Sequence, residues 1–206
     1  MIKKTLFFFI SLIPQNSLKI FLLNLIPNIF IDKKSKIGLA IIFDAEKIKI
    51  INSKIGNLNY FNCKYFRISN SKISNNNIFN NLYRFKAENK SIIGSHNIIS
   101  GLRNNIKVYI KMNNSQISSN FRLHLSKNLY LGQKVILGGV NTKIIAQVKK
   151  DILKNTILYK NIFVGSNVVI KNGTRINKDI IIGANTLVDK NIYQSGKYFS
   201  KRIEIF

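Results

Sequence analysis

One tripeptide returns at a fixed interval in the first half of this chain of 206 residues. Ser35-Lys36-Ile37, Ser53-Lys54-Ile55 and Ser71-Lys72-Ile73 are identical and follow one another at 18 residues. A fixed period of this kind is typical of repeat architectures, in which each turn of chain stacks on its neighbours. Closer to the C-terminus, aliphatic residues recur every six positions, and three such steps make 18: Val164, Ile170, Ile176, Ile182 and Val188. The spacing predicts an all-β solenoid, a three-sided coil with an inward aliphatic residue on each side.

Aliphatic–glycine pairs extend this coil from about residue 31 to residue 195, which leaves residues 196–206 as a tail. β-Branched residues favour short strands, whereas Gly, Asn and Ser favour tight corners with positive φ. We therefore expect the abundant asparagines to occupy corners. The pairs are Ile37-Gly38, Ile55-Gly56, Ile93-Gly94, Leu131-Gly132, Leu137-Gly138, Val164-Gly165 and Ile182-Gly183.

The register breaks twice. Ile117 and the next pair, which begins at Leu131, are 14 residues apart. Leu137 and Val164 are 27 residues apart, and neither distance is a multiple of six. We expect residues to bulge or loop out at both places, with His124 inside the first irregular span and a loop near residues 146–161 in the second. Loops on a rigid scaffold are the usual location of binding groups.

Residues 1–30 differ from the coil. They hold two apolar stretches, Leu6–Ile13 and Leu18–Ile26, separated by a turn in which Ser17 is a possible helix N-cap. Each stretch is shorter than the roughly 20 apolar residues that span a bilayer. The pattern predicts an apolar helical segment that caps the solenoid, contacts a membrane surface, or does both. A secretory signal is a rival interpretation, although no small-residue cleavage site follows.

The charge is strongly positive, with 33 Lys and Arg against 8 Asp and Glu, a formal net charge of +25. Such a field favours anionic partners, and an anionic membrane surface is one of them. Because no nucleic-acid motif or basic–aromatic module is visible, we predict no nucleic-acid partner. The only cysteine, Cys63, excludes an internal disulfide, and no metal-ligand spacing occurs, so we predict no bound metal.

The C-terminal coils resemble those of a known family. Val164–Ile170 and Ile182–Ile192 are similar to the last coils of the hexapeptide-repeat acyltransferases, and the resemblance covers roughly residues 31–195. It implies a left-handed parallel β-helix, a homotrimer, and transfer of an acyl group from coenzyme A to a hydroxyl or amine.

A narrower group within that family is also similar, the acyltransferases of bacterial surface-polysaccharide assembly. The likeness lies in Pro14–Gly38, in Ile55–Tyr60 with Phe79–Leu82, and in Ile117–Ile144. It implies an O-acetyltransferase that moves an acetyl group from acetyl-CoA to a sugar hydroxyl of a surface polysaccharide or its lipid-linked precursor. The place implied is cytoplasmic, peripheral at the inner face of the membrane.

The resemblance also implies site residues. The two histidine positions of the family fall on Phe121 and Gln147 in this chain, so His124 is the first candidate for the base and His96 the second. Either histidine can equally be a surface or corner residue. Gly183, Ala184 and Lys190 match the last coil, where relatives bind coenzyme A; otherwise they are corner residues and a solvated lysine.

A second hypothesis follows from the missing family histidines. The chain is then a catalytically inactive β-helix relative that acts as a membrane-associated glycan-binding or scaffold subunit. Binding of coenzyme A distinguishes the two, because an acyltransferase requires it and a scaffold does not.

Overall fold

The computed structural model describes residues 2–44, 46–102, 107–145 and 154–199, which are mostly parallel β-sheet with two short helices. Most strands have two to five residues, and two are longer. In chain order the elements are α1 (Ile2–Ser11), α2 (Asn16–Asn24), β1 (Ile29–Ile31), β2 (Lys36–Ile37), β3 (Ile42–Asp44), β4 (Lys47–Ile51), β5 (Lys54–Ile55), β6 (Tyr60–Ser69), β7 (Lys72–Ile73), β8 (Ile78–Glu88), β9 (Ile92–Ile93), β10 (Ile98–Gly101), β11 (Tyr109–Asn113), β12 (Gln116–Ile117), β13 (Arg122–Leu125), β14 (Leu129–Leu131), β15 (Val135–Leu137), β16 (Lys143–Ile145), β17 (Thr156–Leu158), β18 (Ile162–Val164), β19 (Val169–Lys171), β20 (Arg175–Ile176), β21 (Ile180–Ile182), β22 (Leu187–Val188) and β23 (Gly196–Tyr198).

The strands form three parallel stacks, and the chain visits them in turn. Stack 1 is β1, β4, β6, β8, β11, β14, β17 and β20; stack 2 is β2, β5, β7, β9, β12, β15, β18, β21 and β23. Stack 3 is β3, β6, β8, β10, β13, β16, β19 and β22, and the long strands β6 and β8 join it to stack 1 in one curled sheet. The architecture is an all-β, parallel, solenoid-like fold, as the 18-residue period predicts.

The inward side chains form a continuous apolar core. Ile37, Ile55 and Ile73 of the repeated tripeptide are buried, and so are all five aliphatic residues of the six-residue rhythm. In the first coils the core is aromatic: Phe61 stacks between Phe43 and Phe79, with ring centroids at 4.9 and 4.8 Å. Each inward residue therefore packs against its equivalents one coil before and one coil after.

A buried row of serines links successive coils. The backbone N–H of Ser53 donates to Ser35 Oγ, and that of Ser71 donates to Ser53 Oγ, both at 3.1 Å. The row continues with Ser91 N–H to Ser71 Oγ at 3.1 Å. The serine of the repeated tripeptide is thus a hydrogen-bonding residue at a buried corner, which satisfies a backbone donor that water cannot reach.

A second buried row consists of asparagines. Asn77 N–H donates to Asn59 Oδ1 at 2.9 Å, Asn97 N–H to Asn77 Oδ1 at 3.0 Å, and Phe121 N–H to Asn97 Oδ1 at 2.8 Å. Other asparagines take exposed corners, as expected from their tolerance of left-handed backbone geometry. Twelve of the 18 non-glycine residues with positive φ in the described part of the chain are Asn.

The N-terminal helices satisfy the open edge of the first coil. Asn24 exchanges two hydrogen bonds of 2.8 Å with the backbone of Ile31, and Asn16 bonds Ser35 O and Ile37 N–H at 2.9 Å. Lys19 is buried, its Nζ donates to two corner carbonyls, and burial lowers its pKa. Helix α2 begins at Asn16 with Gln15 as N-cap, so the expectation of a Ser17 cap is wrong.

Two boundaries differ from the sequence expectation. The span that contains His124 does not loop out: the residue lies in β13, and the extra residues occupy the corner at Ser126–Asn128 before β14. At the other end β23 pairs with β21, so stack 2 continues past residue 195 to Tyr198. Half of the predicted second loop, residues 146–153, lies outside the described residues. The other half contains β17, which pairs with β14 and β20, so the expectation of a loop is wrong there.

We predict that Asn77→Ala destabilises the protein by roughly 2–3 kcal/mol, because it leaves the buried N–H of Asn97 without an acceptor. Asn62→Ala is the matched control: Asn62 faces outward on β6, and surface changes stay within about 0.5 kcal/mol. Urea unfolding followed by circular dichroism measures both. Equal midpoints for the two variants would contradict a structural role for the asparagine row.

Candidate functional site

His124 lies on the outer face of stack 3. Along β13, Arg122 and His124 are exposed whereas Leu123 and Leu125 are buried, as strand alternation requires. The parallel register sets His124 beside Ser100 of β10 on one side and Ile145 of β16 on the other. This pairing places an imidazole and a hydroxyl side by side on a rigid surface.

The imidazole of His124 is held by the neighbouring hydroxyl. Its Nδ1 lies 2.9 Å from Ser100 Oγ, within hydrogen-bond distance. When Nδ1 carries the proton and donates it to Ser100 Oγ, Nε2 is left as an acceptor. No described residue forms a hydrogen bond with Nε2, so this nitrogen is free to take a proton from a ligand.

Cations surround this pair. Arg122 is paired in register with Lys143 on the next strand, and both side chains are exposed. Further along the row of His124, Lys171 forms an ion pair with Asp189 at 3.8 Å. Arg122 and Lys143 form no ion pair with a described acidic residue, so their charges remain available to an anionic ligand next to His124.

His96, the second candidate base, occupies a different setting. It sits at the exposed corner after β9 with φ of 60°, and its Nε2 lies 3.1 Å from Asn76 Nδ2. No hydrogen bond between the two histidines occurs within the described residues. The structure therefore does not bring His96 and His124 together, and only His124 stands on a strand face with a hydroxyl beside it.

The family histidine positions do not contribute to this surface. Phe121 is fully buried at the end of the asparagine row, facing the core. Gln147 lies outside the described residues. Position 121 is thus an inward corner, where a side chain cannot meet a dissolved substrate.

The expected coenzyme A residues lie at the C-terminal end. Gly183 and Ala184 form the corner after β21, and a Cβ at Gly183 would collide with the ring of Phe199. Lys190 is exposed just after β22, which is three strands from β13 in stack 3. At about 4.8 Å per strand this is about 14 Å along the axis from His124. The three residues therefore lie at a distance from the histidine, not around it.

Ser100 is the site residue that sequence reasoning missed. The spacing of the inward residues could have revealed it. Ile93 and Ile117 are paired and lie 24 residues apart, and Ser100 and His124 are separated by the same number of residues. The coil between them is longer than 18 residues, so a strict 18-residue count does not bring Ser100 beside His124.

A basic–aromatic cluster on stack 1 also escaped the sequence analysis. The ring of Tyr83 lies 5.4 Å from that of Tyr65 and 5.2 Å from that of Tyr109, and the Arg84 guanidinium lies 5.5 and 5.8 Å from the Tyr65 and Tyr109 rings. The cluster is invisible in the sequence because its residues come from three strands.

Other chemistry is limited. Burial, with a contribution from the charge of Asp44, raises the pKa of Cys63, which makes its thiol a poor nucleophile. Across the described ranges, no three His, Cys, Asp or Glu side chains group as metal ligands, and neither helix is long and apolar enough to cross a bilayer.

No family model matches this chain, and no curated protein matches it.

We predict that Phe121→His, which introduces histidine at the position where the resemblance expects it, destabilises the protein by about 3 kcal/mol, because it replaces a buried ring with a polar one. His124→Ala removes only exposed atoms and changes stability by less than about 0.5 kcal/mol. Chemical unfolding of both variants gives the comparison. A stable Phe121→His protein would contradict the inward position of residue 121.

Proposed function

We propose that this chain is a hexapeptide-repeat acyltransferase with a left-handed parallel β-helix, and that it transfers an acetyl group to a sugar hydroxyl. The observation that carries the proposal is the His124–Ser100 pair, an exposed imidazole with Nδ1 at hydrogen-bond distance from Ser100 Oγ and no described partner at Nε2. The acceptor is a surface polysaccharide or its lipid-linked precursor.

His124 is the general base in this proposal. Its Nε2 accepts the proton of the acceptor hydroxyl as the oxygen attacks, and the imidazolium then returns that proton to the leaving sulfur. Ser100 is a positioning residue, because its Oγ lies within hydrogen-bond distance of Nδ1 and so orients the ring; the tautomer with the proton on Nδ1 is the one that leaves Nε2 as the base. Acetyl-CoA supplies the activated acetyl thioester.

The cations of this surface fit a nucleotide carrier. Arg122 and Lys143 are adjacent and exposed next to His124, and Lys190 is exposed three strands away. Such groups bind phosphate oxygens through charge-assisted hydrogen bonds. Gly183 fits less well, because the Phe199 ring covers its corner. We assign the phosphates to Arg122, Lys143 and Lys190.

Self-association as a homotrimer has support from stack 2. Towards the C-terminal end its outer row carries exposed Ile136, Phe163 and Ile181 in register. These residues line a groove of about 680 Å³. An exposed apolar row of this kind marks an interaction surface. A second copy of the chain is the occupant that fits a homo-oligomer.

The alternative function is a catalytically inactive glycan-binding or scaffold subunit at the membrane. It has one specific observation in its favour, the buried Phe121 at a position where the family places histidine. Isothermal titration with coenzyme A separates the two: binding favours the enzyme, and its absence favours the scaffold.

We predict that the purified protein releases free thiol from acetyl-CoA in the presence of mixed glycan acceptors. His124→Ala should lower kcat by about 100- to 10,000-fold, because the general base is lost. Ser100→Ala should lower kcat less than His124→Ala does and leave the KM for acetyl-CoA unchanged, because only the hydrogen bond that orients the imidazole is lost.

His96→Asn is the comparison variant, since Asn tolerates the left-handed geometry of that corner. An equal loss of kcat in His96→Asn would move the base to His96. Full activity in His124→Ala, with coenzyme A bound, would contradict the mechanism.

We also propose peripheral contact with the inner face of the membrane through the helix pair. Phe9, Phe21 and Leu25 are 62%, 61% and 66% exposed. The opposite side of the pair packs on the coil through Phe7, Ile20 and Leu23, so these exposed apolar side chains are not needed for the core. Apolar side chains beside basic residues are the pattern of an interfacial helix.

We predict that the protein sediments with vesicles of phosphatidylcholine and phosphatidylserine. The triple variant Phe9→Ser, Phe21→Ser, Leu25→Ser should bind at least tenfold more weakly. The matched control, Leu102→Ser, Val140→Ser, Leu187→Ser, changes exposed apolar residues elsewhere and should bind as the wild type does. Similar losses in both would contradict membrane contact by the helices.

A further inference from the structure

The lysine of the repeated tripeptide has no role in the site described above. Lys36, Lys54 and Lys72 occupy equivalent positions on β2, β5 and β7, in register and exposed. Neighbouring parallel strands lie about 4.8 Å apart, so the three side chains leave the surface in a straight row along the axis. Charges of one sign at that spacing repel one another.

Asp32 adjoins the start of this row, where it accepts hydrogen bonds from Ser35 Oγ and the Asn52 N–H. None of the three lysines forms an ion pair with a described acidic residue. The next positions of the same row are Ile92, Gln116 and Ile136. The outer face of stack 2 therefore accepts uncharged residues, so the fold itself does not require lysine there.

The row borders a groove of about 460 Å³, which we call the lysine groove. Lys34 and Lys90 line it together with the three row lysines, and Lys90 takes a left-handed conformation with φ of 65°. The remaining lining residues are uncharged: Asn52, Ser53, Asn70, Ser71, Ser91 and Ile92. Five cations and no acid make the lysine groove an anion-binding surface.

The corner amides add hydrogen-bonding capacity. Asn52 Nδ2 donates to Asn70 Oδ1 at 2.8 Å. This bond leaves Asn52 Oδ1 and Asn70 Nδ2 without a hydrogen-bond partner among the described residues. The lysine groove thus offers an acceptor and a donor beside its row of ammonium groups.

We propose that the lysine groove binds a linear anionic glycan, one with carboxylate or similar groups repeated along the chain. The row is one-dimensional, which suits a polymer lying along the solenoid axis. The ammonium groups pair with its acidic groups, and the Asn and Ser side chains bond its hydroxyls. Because the groove lies on stack 2 and His124 on stack 3, the proposal does not depend on acyl transfer.

Two other polyanions fit the lysine groove less well. Single-stranded nucleic acid is held largely by aromatic side chains that stack on the bases, and none of the residues lining the groove is aromatic. A membrane presents charge over two dimensions, whereas the row is a single line beginning beside the helix-capped end. Both remain outcomes of the test below.

We would measure fluorescence anisotropy of end-labelled polygalacturonate oligomers with the full chain at physiological salt. Lys36→Gln, Lys54→Gln, Lys72→Gln should weaken binding at least tenfold. The control Lys111→Gln, Lys160→Gln, Lys178→Gln removes the same charge from other exposed positions and should weaken binding less than threefold. Affinity should rise steeply from the dimer to the tetramer, as three aligned lysines become engaged.

Lys36→Arg, Lys54→Arg, Lys72→Arg keeps the charge and should keep the binding, which separates charge from folding. Equal losses in the two Gln variants would overturn the proposal, because net charge alone would then account for binding. The same probe set includes a single-stranded DNA oligomer and phosphatidylserine vesicles. If Lys36→Gln, Lys54→Gln, Lys72→Gln loses more affinity for the DNA or for the vesicles than for polygalacturonate, the lysine groove is a site for that ligand instead.

Discussion

Successive coils of this chain are held together by side chains that occupy equivalent positions and bond along the axis. The serine row and the asparagine row each satisfy buried backbone N–H groups one coil away. An unpaired buried N–H costs about 1–3 kcal/mol, so each row fixes the register of the strands on either side. The aromatic stack of Phe43, Phe61 and Phe79 follows the same rule within the core.

That register determines what the surface can do. Residues from different coils become neighbours only where the inward positions align, so a strand face carries rows of side chains about 4.8 Å apart. His124 beside Ser100 on stack 3 is one consequence, and the lysine groove on stack 2 is another. The proposed reaction and the proposed glycan site thus have the same structural origin.

The ends of the solenoid-like fold carry a different kind of chemistry. At the N-terminus Asn16, Lys19 and Asn24 satisfy the open edge of the first coil, while the opposite helix faces expose Phe9 and Phe21. Capping therefore combines these polar bonds with the burial of Phe7, Ile20 and Leu23, and the exposed apolar side chains remain available for a lipid surface. At the C-terminus β23 and Phe199 cover the last coil.

The sequence alone determined the architecture, because the six- and 18-residue spacings fix which aliphatic side chains face inward, and its Asn content predicted the corners. It also made His124 a candidate base, a role that stays a prediction, but expected the residue in a looped-out span, whereas it lies in strand β13. Only the tertiary structure decided that Ser100 meets His124, that position 121 faces the core, and that the Arg84 guanidinium lies over the rings of Tyr65 and Tyr109. These contacts depend on which corners hold the extra residues of the longer coils. Packing between coils determines those positions.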